Sequence, residues 1–246
     1  MTTHILLTGA SRGIGAAIAA RLGEQSNVRL FALSSADGDL ANPDVPARLW
    51  ERALGELDGR IDVLINNAGV FEANPIDGGP IDGGPIDGGP IDGGDARWLA
   101  SWNRTMQINL TASADLCRRH VLHLQSAGRA GRIVNIASRA AHRGDSPAHW
   151  HYAASKAGVV AITKTIARAY AAEGIYAFAV CPGFTMTGMA EEYLASRGGD
   201  KLLADIPLGR VAEPHEIAEI AAWCALDAPA SMTGAVIDAN GASYVR

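Results

Sequence analysis

The sequence predicts an α/β fold in three layers, a doubly wound parallel sheet of about seven strands covered by helices on both faces. Three observations predict it. Strand-like and helix-like stretches alternate along the chain, the strand-like runs are apolar almost throughout, and a glycine-rich turn follows the first of them directly. Such continuous apolar runs belong to strands buried on both faces, as the strands of a parallel sheet are.

Taken in order, Ile5–Thr8 reads as the first strand, Ala16–Leu22 as a helix, Val28–Leu33 as the second strand, Pro46–Leu57 as a helix and Val63–Asn66 as another strand. The runs Ile61–Ile65, Ile133–Ile136 and Ile175–Val180 are the most uniformly apolar, and Val236–Asp238 closes the series. Between Ser35 and Asp39 there is no room for a helix, so the sheet edge next to Val28–Leu33 is expected to be open. The pentapeptide PIDGG is written four times over residues 75–94. Proline and glycine suppress helix and strand alike, so this insertion is read as a solvated loop. The spacing of Asp77, Asp82, Asp87 and Asp92 matches no calcium repeat, and no metal ligand set is expected.

Composition narrows the function classes. The chain has 246 residues, is 48% hydrophobic and carries a formal charge of -5 with a pI near 5.8. One domain spanning 1–246 is expected, and nothing draws it to nucleic acid or an anionic membrane. No run approaches the roughly 20 apolar residues needed to span a bilayer, and the N-terminus reads as a strand rather than a targeting leader. Cys117, Cys181 and Cys224 are few and far apart, which points to a reducing, cytoplasmic setting rather than a disulfide framework or a zinc site.

The chemistry begins at Thr8-Gly-Ala-Ser-Arg-Gly-Ile-Gly15, between a strand and a helix. Gly9 permits the tight turn, Gly13 lets a pyrophosphate approach the backbone and Gly15 allows close packing, while the helix N-terminus offers unpaired N–H groups. Further along, Tyr152 and Lys156 are four residues apart, which stacks them on one helical face. A free phenol ionises near pH 10. A neighbouring ammonium and a cationic cofactor ring would favour phenolate, and a fall of about three units corresponds to roughly 4 kcal/mol.

The glycine pattern, Asn66-Asn67-Ala68-Gly69, Tyr152-Ala-Ala-Ser-Lys156, Pro182-Gly183 and the closing segment from Thr233 to Gly241 occur in an order that resembles the short-chain dehydrogenase/reductase family over nearly the whole chain. The resemblance implies a Rossmann-type dinucleotide-binding fold and hydride transfer between a nicotinamide cofactor and a carbonyl or alcohol carbon. It implies that Tyr152 is the general acid/base, that Ser138 holds the substrate oxygen, that Lys156 holds the nicotinamide ribose, and that Asn109 supports a water-linked proton path. Cofactor contacts are expected from Gly9, Ser11, Arg12, Gly13, Ile14, Gly15, Asn67, Ala68, Gly69, Tyr152 and Lys156, from Asp39 and Leu40 on the adenine, and from Pro182, Gly183, Thr185 and Thr187 on the carboxamide. At the end of the second strand stand Ser34 and Ser35 with Arg12 nearby and no carboxylate at that position, so NADP(H) is favoured, with NAD(H) as the alternative; Asp37 and Asp39, which follow closely, complicate the choice.

By the same resemblance, residues from Met186 to about Leu208 form a substrate lid with Gly188, Gly198 and Gly199 as hinges. The protein is expected to be a homotetramer, or else a dimer, through the helices Asp95–Ser126 and Tyr152–Glu173 and the last strand. Family members include 3-oxoacyl-(acyl-carrier-protein) reductases and sugar or polyol dehydrogenases. Arg129 suits an acidic carrier protein and Glu173 does not. The residues Arg139, His142, Arg143, Asp145, His149, Trp150 and His151 form a polar and aromatic wall that leans towards a compact polar substrate. Trp98 and Trp102 read as core or interface packing. A dinucleotide-binding regulator without turnover is the reading from another class.

Overall fold

The computed structural model describes residues 2–76, 94–187 and 199–246. The aspartates of the PIDGG repeat, Asp77, Asp82, Asp87 and Asp92, and the hinge candidates Gly188 and Gly198 lie outside the described residues. The elements are β1 (Thr3–Thr8), α1 (Gly13–Gly23), β2 (Val28–Leu33), α2 (Val45–Glu56), β3 (Val63–Asn66), α3 (Gly94–Met106), a π-helical turn (Gln107–Thr111) and α4 (Ala112–Ala127). There follow β4 (Gly131–Ile136), a short α5 (Ala140–Arg143), α6 (Trp150–Tyr170), β5 (Ile175–Pro182), α7 (Gly199–Ala204), α8 (Pro214–Leu226) and β6 (Val236–Ala239).

Among the described residues one six-stranded sheet runs in the order β2-β1-β3-β4-β5-β6, all pairs parallel. The strand count is near the seven expected, because residues 34–44 carry the chain from β2 straight to α2 with no strand between them. The chain winds from β1 to β2 on one side and continues through β3 on the other. That reversal opens a crevice at the carboxyl ends of β1 and β3, the place where doubly wound sheets bind ligands.

The two-residue period of the strands sorts their side chains into two cores. Leu6, Leu64, Ile133 and Ala177 pack against Leu49, Trp50, Leu116, Leu124 and Ile166 of α2, α4 and α6. Ile5, Leu7, Val63, Ile65, Val134 and Phe178 point the other way, onto Ile18 and Leu22 of α1 and Ile217 and Ala221 of α8. Helix ends follow local chemistry. Pro46 opens α2, where its missing N–H costs nothing, and Gly128 closes α4 with φ 59. The helix expected over Asp95–Ser126 is interrupted by the π-helical turn at Gln107–Thr111.

Polar groups cross the sheet centre in one chain of hydrogen bonds. The Asn66 amide donates to Asn135 Oδ1 at 2.9 Å, and the Asn135 amide donates to Thr163 Oγ1 at 2.8 Å, all buried. Asn135→Ala would remove both of these bonds, leaving Asn66 its contacts to Ser113 O and Cys117 Sγ and Thr163 its bond to Val159 O, and a loss of about 1–2 kcal/mol is expected. Urea unfolding checks it; an unchanged midpoint would show that the chain contributes nothing net.

Candidate active site

The glycine loop is held from both sides. Gly9 has φ 72 and Gly13 has φ 54, backbone that side chains disfavour. Thr8 Oγ1 accepts from the backbone N–H groups of Asn67 and Ala68 at 3.2 Å each, and the Asn67 amide donates to Gly9 O at 2.9 Å. A Cβ on Gly15 would meet Gly9 O at 2.0 Å, and a Cβ on Gly13 would meet Thr187 Cγ2 at 2.9 Å. Thus β1, β3 and the segment after β5 converge on the loop. Arg12, the residue before α1, makes no side-chain cap, and no acidic residue lies in the first turn of the helix. Its leading N–H groups have no side-chain partner, which suits a pyrophosphate. Ser11 and Arg12 are exposed and Ile14 is half-buried on the core.

The tip of β2 differs from the sequence expectation. Asp37 folds back, and Ser34 gives it both its backbone N–H (2.8 Å) and its hydroxyl (3.0 Å), while Arg52 Nη1 approaches at 2.7 Å. Asp37 therefore brings a carboxylate to the tip of β2, and one of the two hydroxyls is committed to it. The Ser34 N–H and Arg52 hold that carboxyl below its usual range. Asp39 accepts from Ala41 N–H at 2.9 Å, and Leu40 is buried in the core. An open cavity of about 470 Å³ lies beside this turn, lined by Ala41, Pro43, Arg104 and Gln107 among others.

The four residues expected to carry the reaction come together across β3, β4, the π-helical turn and α6. The extra residue of that turn presents Asn109 to the loop after β3. Its Oδ1 accepts from Val70 N–H at 2.8 Å, and its amide donates to Val70 O at 3.0 Å and Ser155 Oγ at 3.2 Å. Single π turns recur at functional sites. Lys156 Nζ donates to Ile136 O at 2.9 Å, and a Cβ on Gly69 would stand 3.3 Å from both Lys156 Nζ and Asn109 Oδ1. Ser138, just past β4, lies close enough to the Tyr152 phenol to pull its ionisation down. Lys156 Nζ is 5.8 Å from the Tyr152 ring centroid.

Burial dominates the ionisation of this cluster. It pushes the Tyr152 phenol up to about 12, against the pull of the Ser138 hydroxyl, and pushes the Lys156 ammonium down to about 8. The sequence expectation of an acidified phenol is not met by the polypeptide alone. Lys156 spends its hydrogen bond on Ile136 O, and removal from water outweighs its attraction for phenolate.

Beside Tyr152 stands a residue the sequence reading did not single out. The Phe71 ring is edge-on to Tyr152 at 4.7 Å and stacked on the His149 ring at 3.9 Å. Ser146 Oγ lies 2.7 Å from His149 Nδ1, and Asn74 N–H donates to Ala148 O at 2.8 Å, fastening the loop after β3 to the loop before α6. Trp98 and Trp102 stack on one another, with His151 next in the row at 6.4 Å from Trp102. The expected polar wall therefore splits: His149 and His151 belong to this side. Arg139 and Arg143 turn away to Asp205, at 3.7 and 2.7 Å, with Arg139 also over the Phe184 ring.

After β5, Pro182 O accepts from Arg139 N–H at 2.9 Å and Gly183 N–H donates to Ala239 O at 3.0 Å. A Cβ on Gly183 would meet Asn240 Cα at 2.8 Å. Thr185 is buried, its hydroxyl donating to Gly183 O at 3.3 Å. Thr187, two residues on, reaches the glycine loop as described. The arrangement fits a dinucleotide along the crevice and a reacting oxygen between Ser138 and Tyr152.

Known proteins share this architecture. A short-chain dehydrogenase family model, described as enoyl-(acyl carrier protein) reductase, matches residues 9–241. The cis-4-hydroxycyclohexanecarboxylate dehydrogenase of Sinomonas cyclohexanicum is 33% identical over 96% of this chain and 94% of its own length. The 3-oxoacyl-(acyl-carrier-protein) reductase FabG of Vibrio cholerae is 31% identical over 98% and 96%. The ligand-free aldohexose dehydrogenase of Thermoplasma acidophilum superposes with a TM-score of 0.79 at 26% identity, covering 100% of this chain and 95% of that one. With the matched model covering nearly all of its length, the chain belongs to the short-chain dehydrogenase/reductase family, an oxidoreductase built on a Rossmann-type sheet.

Proposed function

We propose that this protein, as one domain, interconverts a carbonyl and a secondary alcohol with a nicotinamide dinucleotide, Tyr152 acting as general acid and base. The observation that carries the reading is the convergence of Asn109, Ser138, Tyr152 and Lys156 at the carboxyl edge of the sheet, beside an uncapped glycine loop. The dinucleotide supplies or accepts the hydride. Ser138 orients the substrate oxygen, Tyr152 gives or takes its proton, Lys156 holds a positive charge near the phenol, and Asn109 fixes the loop that faces Lys156. Oxidation of NADH or NADPH with a panel of ketones, 3-oxoacyl thioesters and sugars tests it. Binding without turnover on every substrate would favour a regulator instead.

Asp37 moves the cofactor reading from NADP(H), favoured by the sequence, to NAD(H). A carboxylate held ionised at the tip of β2 repels a 2′-phosphate, and it occupies the Ser34 hydroxyl and Arg52. Asp37→Ala is expected to shift the NADPH/NADH affinity ratio about tenfold towards NADPH, near 1.4 kcal/mol. Titration by fluorescence of each reduced cofactor reads this, and an unmoved ratio returns the choice to Arg12 and NADP(H).

For the substrate, the flat Phe71–His149 stack beside Tyr152 supports a compact polar ketone or alcohol over a long acyl chain. Arg129 is bonded to Asp62 and Glu173 to Gln125, so neither strengthens the case for an acyl-carrier partner. Among the described residues no helix is long and apolar enough to cross a membrane. A cytoplasmic homotetramer, with a dimer as the alternative, completes the reading. Sedimentation at several concentrations distinguishes the two.

A further inference from the structure

Away from the Tyr152 phenol, three side chains distant in sequence bring different donor atoms together. Cys181 of β5 and Asp238 of β6 are register partners in the parallel pair, so they stand side by side. His142 of α5 lies over them, its Nε2 3.7 Å from Cys181 Sγ. One ligand atom from each of the three lies within 4.8 Å of the other two, and among the described residues no other such cluster of histidine, cysteine and carboxylate occurs.

We propose that His142, Cys181 and Asp238 form a site for a thiophilic divalent cation, Zn²⁺, with a fourth position open to water. Zinc takes thiolate at about 2.3 Å and imidazole at about 2.0 Å in a tetrahedron, which sets an S···N edge of about 3.5 Å. The observed 3.7 Å is close to that edge, and a carboxylate oxygen of Asp238 lies within 4.8 Å of both other ligand atoms. The His142 ring lies parallel to Tyr244, with centroids 5.8 Å apart, which fixes its orientation.

Arg246 Nε donates to Asp238 Oδ2 at 2.9 Å, which leaves the other carboxylate oxygen for the metal. On binding, the Cys181 S–H bond breaks, the S–Zn bond forms and the proton passes to solvent. The sequence hides the site because no two of its ligands share a local motif. Cys181 directly precedes Pro182-Gly183, so the cation would pin β5, β6 and α5 together behind Ser138.

The test uses the untagged full chain stripped with chelator, with Zn²⁺ and Co²⁺ alone as probes. The expected result is one equivalent of Zn²⁺ retained against a colorimetric chelator. Co²⁺ should give a thiolate-to-metal charge-transfer band that is absent in Cys181→Ser and preserved in Cys117→Ser, which removes another buried thiol. His142→Ala should weaken Zn²⁺ at least about tenfold, and wild-type affinity should rise as pH increases because the thiol must lose its proton. Circular dichroism of each variant controls for folding. No charge-transfer band in the wild type, or wild-type Zn²⁺ affinity retained in the folded Cys181→Ser and His142→Ala variants, overturns the proposal. Neither outcome bears on the Tyr152 reading.

Discussion

Tyr152→Phe is expected to lower kcat for carbonyl reduction by about 10²- to 10⁴-fold, the range that a positioned proton donor contributes. Dinucleotide affinity should change by no more than a few fold. The substitution removes one oxygen. The ring keeps its edge contact with Phe71 and its place beside Lys156 Nζ, so fold and wall survive. What disappears is the hydroxyl that faces Ser138. Stopped-flow measurement of cofactor oxidation, beside a cofactor titration, separates the two effects. A variant retaining most of the wild-type rate would mean that the proton comes from elsewhere.

The same cluster sets the direction of the pH dependence. In the cofactor-free protein Lys156 sits at about 8 and the phenol at about 12. Below about 8 the ammonium is present and the phenol is protonated, the pair required for reduction. Above it Lys156 loses its charge while the phenol stays protonated. So kcat/KM for the reduced dinucleotide, which reports the cofactor-free enzyme, should be level near neutrality and fall above about pH 8. Lys156→Arg, whose guanidinium keeps its proton, should lower the rate but remove that fall. A fall unchanged in the arginine variant would assign it to another group.

Local spacing is what made much of this legible. Gly9, Gly13 and Gly15, and Tyr152 with Lys156, interact with neighbours within a turn or two, so residue type and interval carry the geometry. The sheet was readable for a similar reason, since runs such as Ile5–Leu7 and Ile133–Ile136 are apolar on both faces. The features that escaped depend on approach between distant segments or on local backbone choice. Asp37 turns back onto Ser34 in the segment that joins β2 to α2, a backbone choice that residue type alone does not specify. Phe71 gains its role only when the loop after β3 meets the loop before α6. The π-helical turn at Asn109 is a single-residue insertion in an otherwise regular helical pattern. The upward push on Tyr152 in the cofactor-free protein is not legible in the sequence, because attraction to Lys156 can be read from spacing, whereas desolvation needs the packed surroundings.

Gly15→Ala is expected to reduce dinucleotide affinity by at least about 100-fold and to destabilise the fold by about 2–3 kcal/mol. The added Cβ would lie 2.0 Å from Gly9 O and 2.4 Å from the Asn67 amide nitrogen, so α1 cannot keep its seat against the loop. The obstruction is backbone, which cannot swing aside as a side-chain tip would. Moving α1 also pulls Ile18 and Leu22 from the core and shifts the N–H groups that would meet the pyrophosphate. Gly13→Ala supplies a graded comparison. Its φ of 54 costs about 1–2 kcal/mol for an alanine, and its nearest obstacle is a methyl of Thr187 at 2.9 Å. Gly23→Ala meets nothing within 4 Å and sits at the end of the same helix, so it should be neutral or stabilising by up to about 1 kcal/mol. Thermal unfolding and cofactor titration across the three variants should therefore order them Gly15, Gly13, Gly23 in both measurements. If Gly15→Ala bound cofactor as well as Gly23→Ala does, close approach of α1 to the Gly9 carbonyl would not be what shapes the crevice.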